Sequence, residues 1–344
     1  MYRTRRRVAK KAATATLLGA LPPEQRQGAA QAFLDPAAAL RDMGHYCYAV
    51  ETVPAPFLGA IPRPGLHGSA RIDRFGLRGT AELEPAKPRG ALRVFLLGGS
   101  TAFGSGAPDQ ARTPAGYLEA ALRAALPGRQ VQVFACACPA WTSHHERIAA
   151  EQRLRAWDPD LVLALSGAND AEWGWLRRDP AWTRTYEDEH FFRLASDAMF
   201  RAGLGELPDV APAGEVALPA EPLAAGLARN ARLTALALEP VPYLLCLQPV
   251  LPCTRKPTSV REAALLAGWP AEKREHFQRV WARYAADLSQ GEARGLRWRD
   301  LDPAFAARPA EEELFLDAFH FGDRGNALLG TALAEAALPL LRGE

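Results

Sequence analysis

The sequence predicts an α/β protein, a three-layer α/β/α sandwich around a mainly parallel sheet of about five strands. Two observations predict it. Five short apolar runs recur along the second part of the chain, and segments of helical periodicity lie between them. Short, fully apolar strands alternating with helices are the pattern of a parallel sheet covered on both faces. Composition agrees, since 344 residues with 48% apolar and 23% charged side chains describe an ordinary globular chain.

In chain order, residues 1–50 are Ala-rich and helical in pattern, an N-terminal extension broken at Pro22-Pro23 and Pro36. Residues 51–90 are rich in Pro and Gly and should form an extended or looped lead-in. The alternation then fills residues 91–344. Its strands are expected at 93–97, 131–137, 161–165 and 243–247, with a weaker fifth at 296–301. Helical periodicity covers 115–126, 143–157, 260–288 (with a break near Pro270) and 323–341. Between the third and fourth strands, about 173–237, an insertion carries Trp173, Trp175, Trp182, Phe191 and Phe192, then a Pro/Gly/Ala-rich stretch. It should cap the carboxyl edge of the sheet, where parallel sheets bind their ligands.

Three motifs fall at that edge. Gly98-Gly99-Ser100-Thr101 follows the first strand, so the glycines permit a sharp turn and Ser100 opens a helix whose N–H groups can face an oxyanion. A serine there can equally be a simple N-cap. Gly167-Ala168-Asn169-Asp170 follows the third strand, where the Asn169 amide can donate to an oxyanion or merely close an Asx-turn. Asp317-Ala318-Phe319-His320 precedes the last helix, with a carboxylate spaced to orient an imidazole whose other nitrogen is free for a proton, although a lone histidine can equally be a hydrogen-bonded structural residue. Asp323 is placed to cap that helix.

Together, Gly-Gly-Ser-Thr, Gly-x-Asn-Asp and a C-terminal Asp-x-x-His resemble the SGNH (GDSL-like) serine hydrolases. The resemblance implies that Ser100 is the nucleophile, His320 general base and then acid, Asp317 the residue orienting His320, and Asn169 an oxyanion donor beside the Ser100 N–H. The family's remaining block, Asn-x-Gly-x-x-Gly-x-Thr-Ser, is matched by Ala135-Cys136-Ala137-Cys138-Pro139-Ala140-Trp141-Thr142-Ser143. Ala140 stands where the family's oxyanion-hole glycine does. Its N–H can still donate, but a positive φ there would cost roughly 1–2 kcal/mol. Residues 72–79 also resemble the lead-in of bacterial SGNH proteins, some of them associated with polysaccharide modification. Thr101, Trp141, His144, Asp170 and Trp173 are candidate substrate contacts.

The implied reaction is hydrolysis of a small acyl ester of a carbohydrate or small molecule through an acyl-enzyme, with no cofactor. The alternatives are an O-acyltransferase using the same residues and a binding module with a degenerate oxyanion hole. Cys136-x-Cys138 with His144-His145 matches no standard zinc spacing, so no metal is expected. A net charge of +2 indicates neither nucleic acid nor an anionic membrane as partner. No apolar run reaches the roughly 20 residues of a membrane span. Five irregularly spaced cysteines suggest reduced thiols in a cytoplasm-like compartment. Residues 4–10 loosely resemble a twin-arginine export signal with an apolar region at 12–21, but a solvated basic tail is the preferred reading.

Overall fold

Five parallel strands form one side of the main sheet in the computed structural model, which describes residues 23–181, 197–205 and 214–343. The export-like stretch at 4–10, the apolar region at 12–21, and Trp182, Phe191 and Phe192 lie outside the described residues. β1 (Thr52–Ala55) and β2 (Gly59–Pro62) pair as a separate antiparallel ribbon. The main sheet has eight strands: β3 (Gly65–His67), β4 (Ala70–Ile72), β5 (Arg78–Gly79), β6 (Leu92–Gly98), β7 (Val131–Ala137), β8 (Leu161–Ser166), β9 (Tyr243–Leu247) and β10 (Trp298–Asp300). Their spatial order is β10-β9-β8-β6-β7-β5-β4-β3. The five strands β6 to β10 are those expected from the apolar runs, and every pairing among them is parallel.

The lead-in extends this sheet. β5 pairs antiparallel with β7, opposing Arg78 to Ala135 and Gly79 to Phe134, and β4 and β3 follow antiparallel beyond it. These strands are too short, and too often interrupted by Gly and Pro, to show an alternating pattern in the sequence. The free edge of β7 pairs them.

Alternate residues of each central strand feed two cores. Val94 and Leu96 of β6, with Val133 of β7, pack with Leu118 and Leu122 of α4 (Pro114–Ala125) and Leu329 and Leu333 of α11 (Asp323–Arg342). Phe95 and Leu97 face the other way, toward α5 (Ser143–Gln152), α7 (Ala220–Leu238) and α9 (Ala271–Glu292). That arrangement makes three layers. The expected helices are present, and the break near Pro270 separates α8 (Val260–Ala267) from α9. Helix α7 falls within the segment read as an insertion; it is the crossover from β8 to β9 and packs on the sheet against α5 and α9.

From β6 the chain crosses to β7 on one side, and from β7 it crosses back over β6 to β8 on the other, so β6 and β8 border the point where strand order reverses. Crevices form at the carboxyl ends of strands there. Ser100 follows β6 and Asn169 follows β8. The N-terminal extension docks nearby through α1 (Pro23–Ala30), α2 (Pro36–Asp42) and the turn after them. Phe33, Ala39, Met43 and Tyr46 bury themselves with Leu316. Asp323 was expected to cap α11, but Gly322 holds the cap position, and the Asp323 carboxylate accepts the Leu34 N–H at 2.6 Å. The reason is burial: the side chain is turned under the extension, and Leu34 offers it a donor.

Candidate functional site

Ser100 is the first residue of α3 (Ser100–Phe103), a single turn entered directly from β6. The turn is sharp because Gly98 and Gly99 lack side chains. A Cβ on Gly98 would lie 2.5 Å from the Ala102 methyl and 2.6 Å from the Leu165 carbonyl oxygen. A Cβ on Gly99 would collide with the side-chain amide of Asn169. The far end of α3 is held by Arg78, a fully buried cation donating to the carbonyls of Phe103 at 3.0 Å and Gly104 at 2.8 Å. Burial lowers its pKa to about 10, so it stays charged at neutral pH.

The acidic and basic partners sit at the tip of a narrow loop. Phe315 and Phe321 form an antiparallel bridge, and the His320 carbonyl accepts the Leu316 N–H at 2.7 Å. Within the tip, Asp317 Oδ1 accepts the N–H groups of Phe319 at 2.8 Å and His320 at 2.9 Å, an Asx-type turn that fixes the carboxylate against its own chain. The Phe319 carbonyl accepts from Thr101 Oγ1 at 3.2 Å and from Gln248 Nε2 at 3.0 Å, tying the loop to α3 and to the end of β9.

These supports bring His320 Nε2 to 2.7 Å from Ser100 Oγ and His320 Nδ1 to 2.8 Å from Asp317 Oδ2. Burial alone would raise the Asp317 carboxyl. The facing His320, the Tyr48 hydroxyl and the Phe319 N–H outweigh it and hold the group well below the usual carboxylate range, so it is anionic. An anion at Nδ1 favours the imidazole tautomer with its proton on Nδ1, leaving the Nε2 lone pair directed at the serine hydroxyl. Tyr48 gave no signal in the sequence, since it lies before the motifs and matches none of them.

The loop after β7 completes the cluster. Pro139 and Ala140 form the middle of a turn closed by the Trp141 N–H on the Cys138 carbonyl at 3.1 Å, and Ala140 has φ 71°. The Trp141 carbonyl accepts the Asn169 amide at 2.6 Å. One amide hydrogen of Asn169 is thereby used, and the second is the one an oxyanion could take.

Of the candidate substrate contacts, Thr101, Trp141, Asp170 and Trp173 are buried. Thr101 supports the loop as described. Trp141 donates its indole N–H to Ala60 at 3.0 Å and lies parallel to His145. Asp170 accepts the Ser143 hydroxyl at 2.6 Å and the Ser143 N–H at 2.9 Å, joining the helix after β8 to α5. His144 is partly exposed near the start of α5. Burial, with His145 and Arg147 nearby, lowers its pKa to about 4, so it is neutral at pH 7. His145 is engaged with Thr142 in the helix cap. Cys136 and Cys138 are both buried in the core beside Phe95.

A model of the GDSL-like Lipase/Acylhydrolase family matches residues 96–328. The chain belongs to this family. Among solved structures it is similar to a lipase/acylhydrolase from Enterococcus faecalis, at 17% identity over 72% of this chain and 95% of that one, with a TM-score of 0.44. It is also similar to an acetylxylan esterase from Geobacillus stearothermophilus, at 14% identity over 74% and 96% of the two chains, with a TM-score of 0.41. No curated protein matches the sequence.

As a GDSL-like ester hydrolase, the protein carries an unusual residue at position 140. A φ of 71° lies in the left-handed region that glycine adopts freely and alanine does not. Replacing Ala140 by Gly removes roughly 1–2 kcal/mol of strain and adds back about 0.4–1 kcal/mol of unfolded-chain entropy. Ala140→Gly is therefore expected to raise the urea midpoint by the equivalent of up to about 1.5 kcal/mol. A lower midpoint would show that the turn is unstrained.

Proposed function

We propose that the protein is a serine esterase acting by two-step acyl transfer on a short-chain ester of a carbohydrate or small molecule. The observation that carries this reading is the continuous hydrogen-bonded chain Ser100–His320–Asp317, with 2.7 Å and 2.8 Å links. In the first step His320 Nε2 takes the Ser100 proton as Oγ attacks the ester carbonyl. The tetrahedral oxyanion is stabilised by the N–H groups of Ser100 and Ala140 and by the Asn169 amide. His320 then passes its proton to the leaving alkoxide, and the acyl-enzyme forms. Water, deprotonated by His320, attacks the acyl carbonyl; Ser100 leaves with the returned proton and the acid is released. The lead-in at 72–79, similar to that of proteins associated with polysaccharide modification, supports the carbohydrate or small-molecule alcohol.

The test is hydrolysis of p-nitrophenyl acetate, butyrate and octanoate. The proposal expects turnover that is fastest on acetate or butyrate. A preference for octanoate would overturn the short-chain assignment, and no turnover of any ester by the folded protein would overturn the esterase. Asn169→Ala is expected to lower kcat on the preferred ester by about 10²–10³-fold with little change in KM, because the amide acts on charge that develops only in the transition state. An equal loss in KM would instead make Asn169 a ground-state binding residue.

A further inference from the structure

We infer that Tyr48 is a positioning residue of the reaction, a fourth partner that the N-terminal extension supplies to Asp317 and His320. The inference rests on the proposed roles of Ser100, His320 and Asp317. Tyr48 precedes the stretch matched by the family, which begins at residue 96. Its hydroxyl donates to Asp317 Oδ2 at 2.6 Å, and the same oxygen lies 2.5 Å from His320 Nδ1. The phenol ring stands edge-on to the imidazole, with centroids 4.8 Å apart and planes at 67°.

The donor count gives this geometry its meaning. A phenol has one proton, and here it is donated to the carboxylate. The oxygen therefore meets Nδ1 with a lone pair, and the Nδ1 proton is shared between Asp317 Oδ2 and Tyr48. Two acceptors on one side of the ring hold the imidazole in the tautomer and rotation that direct Nε2 at Ser100. Burial, and then the Asp317 charge, keep the phenol protonated well above the usual tyrosine range, so it acts as a fixed donor.

The extension is anchored so that this contact persists. Phe33 and Tyr46 pack with Leu316, which immediately precedes Asp317. The Phe33 carbonyl accepts Arg324 Nε at 2.8 Å, and the Leu34 N–H meets Asp323 just beyond His320. The loop bearing Asp317 and His320 is thus gripped on both sides by the segment that carries Tyr48.

The groups facing the Tyr48 hydroxyl are Asp317 and His320 from that loop, with Ser100 of α3 across the imidazole.

Tyr48→Phe, which keeps the ring, is the test, measured on p-nitrophenyl acetate with Ser100→Ala alongside. The expected result is a kcat on the order of 10- to 100-fold lower, the scale of one hydrogen bond to a charged group. KM should stay unchanged. In an Asp317→Asn background the same substitution should cost less than in the parent, because part of the effect of Tyr48 passes through Asp317. Tyr48→Gln against Tyr48→Leu gives a second comparison, in which the variant keeping a donor should be the more active. A wild-type kcat for Tyr48→Phe, a loss that appears in KM instead of kcat, or an equal loss in the Asp317→Asn background, would overturn the inference. Full activity of Ser100→Ala would overturn the serine mechanism beneath it, whereas an inactive Ser100→Ala beside a fully active Tyr48→Phe would remove Tyr48 alone.

Discussion

Ser100→Ala is expected to lower kcat on p-nitrophenyl acetate by on the order of 10⁶-fold, leaving the thermal midpoint close to that of the parent. The size follows from the covalent step: without Oγ no acyl-enzyme forms, and the residual rate comes from water attacking an ester held by the oxyanion donors alone. The small stability effect follows from the side chain's position. Ser100 is only partly buried, and its hydroxyl meets His320 without filling the core. The turn itself is held by Gly98, Gly99 and the Arg78 clamp, none of which the substitution touches. Kinetics together with a thermal melt checks both halves. A folded Ser100→Ala variant retaining more than a few per cent of activity would exclude Ser100 as nucleophile.

Asp317→Asn is expected to cost about 10⁴-fold in kcat. The Oδ1 position can keep its bonds from the Phe319 and His320 N–H groups, so the loop should hold its shape. At Oδ2 an amide NH₂ would replace the acceptor facing His320 Nδ1. Nδ1 would then have to accept, the imidazole proton would move to Nε2, and an N–H would face Ser100 where a lone pair is needed. Because loop geometry is retained, the loss should appear in kcat with KM little altered. A loss of less than tenfold would mean that the carboxylate charge and tautomer control do not govern this site.

Much of this was legible in the sequence, and the reasons are local. The apolar runs that became β6 to β9 are recognisable because a strand buried on both faces has no polar alternation to hide it. Ser100, Asn169, Asp317 and His320 were legible because each lies in a short motif at the end of a strand or before a helix. The turn chemistry and the reactive group there fall within a few residues of one another. The Asx-type turn at Asp317 is such a case, since the carboxylate facing His320 also folds the chain that carries it.

What the sequence left open depends on distant chain segments. Whether Ala140 takes a positive φ was undetermined until the turn between Cys138 and Trp141 was seen. The pairing of β5 with β7 joins residues more than fifty positions apart, and no pattern within two residues of strand can encode it. Thr101, Trp141 and Asp170 were placed beside the site by their neighbours in sequence. Only packing shows them spending their polar groups on Phe319, Ala60 and Ser143. Tyr48 is the clearest instance. It stands 269 residues from Asp317, in a segment with no motif, and it reaches the carboxylate because the extension folds over the loop that bears it. The sequence by itself determined the parallel strands of the sheet and the chemical groups at their carboxyl ends, because those are set by local pattern. The tertiary structure decided which remote residues support those groups, because a hydrogen bond between distant segments depends on the whole chain's packing.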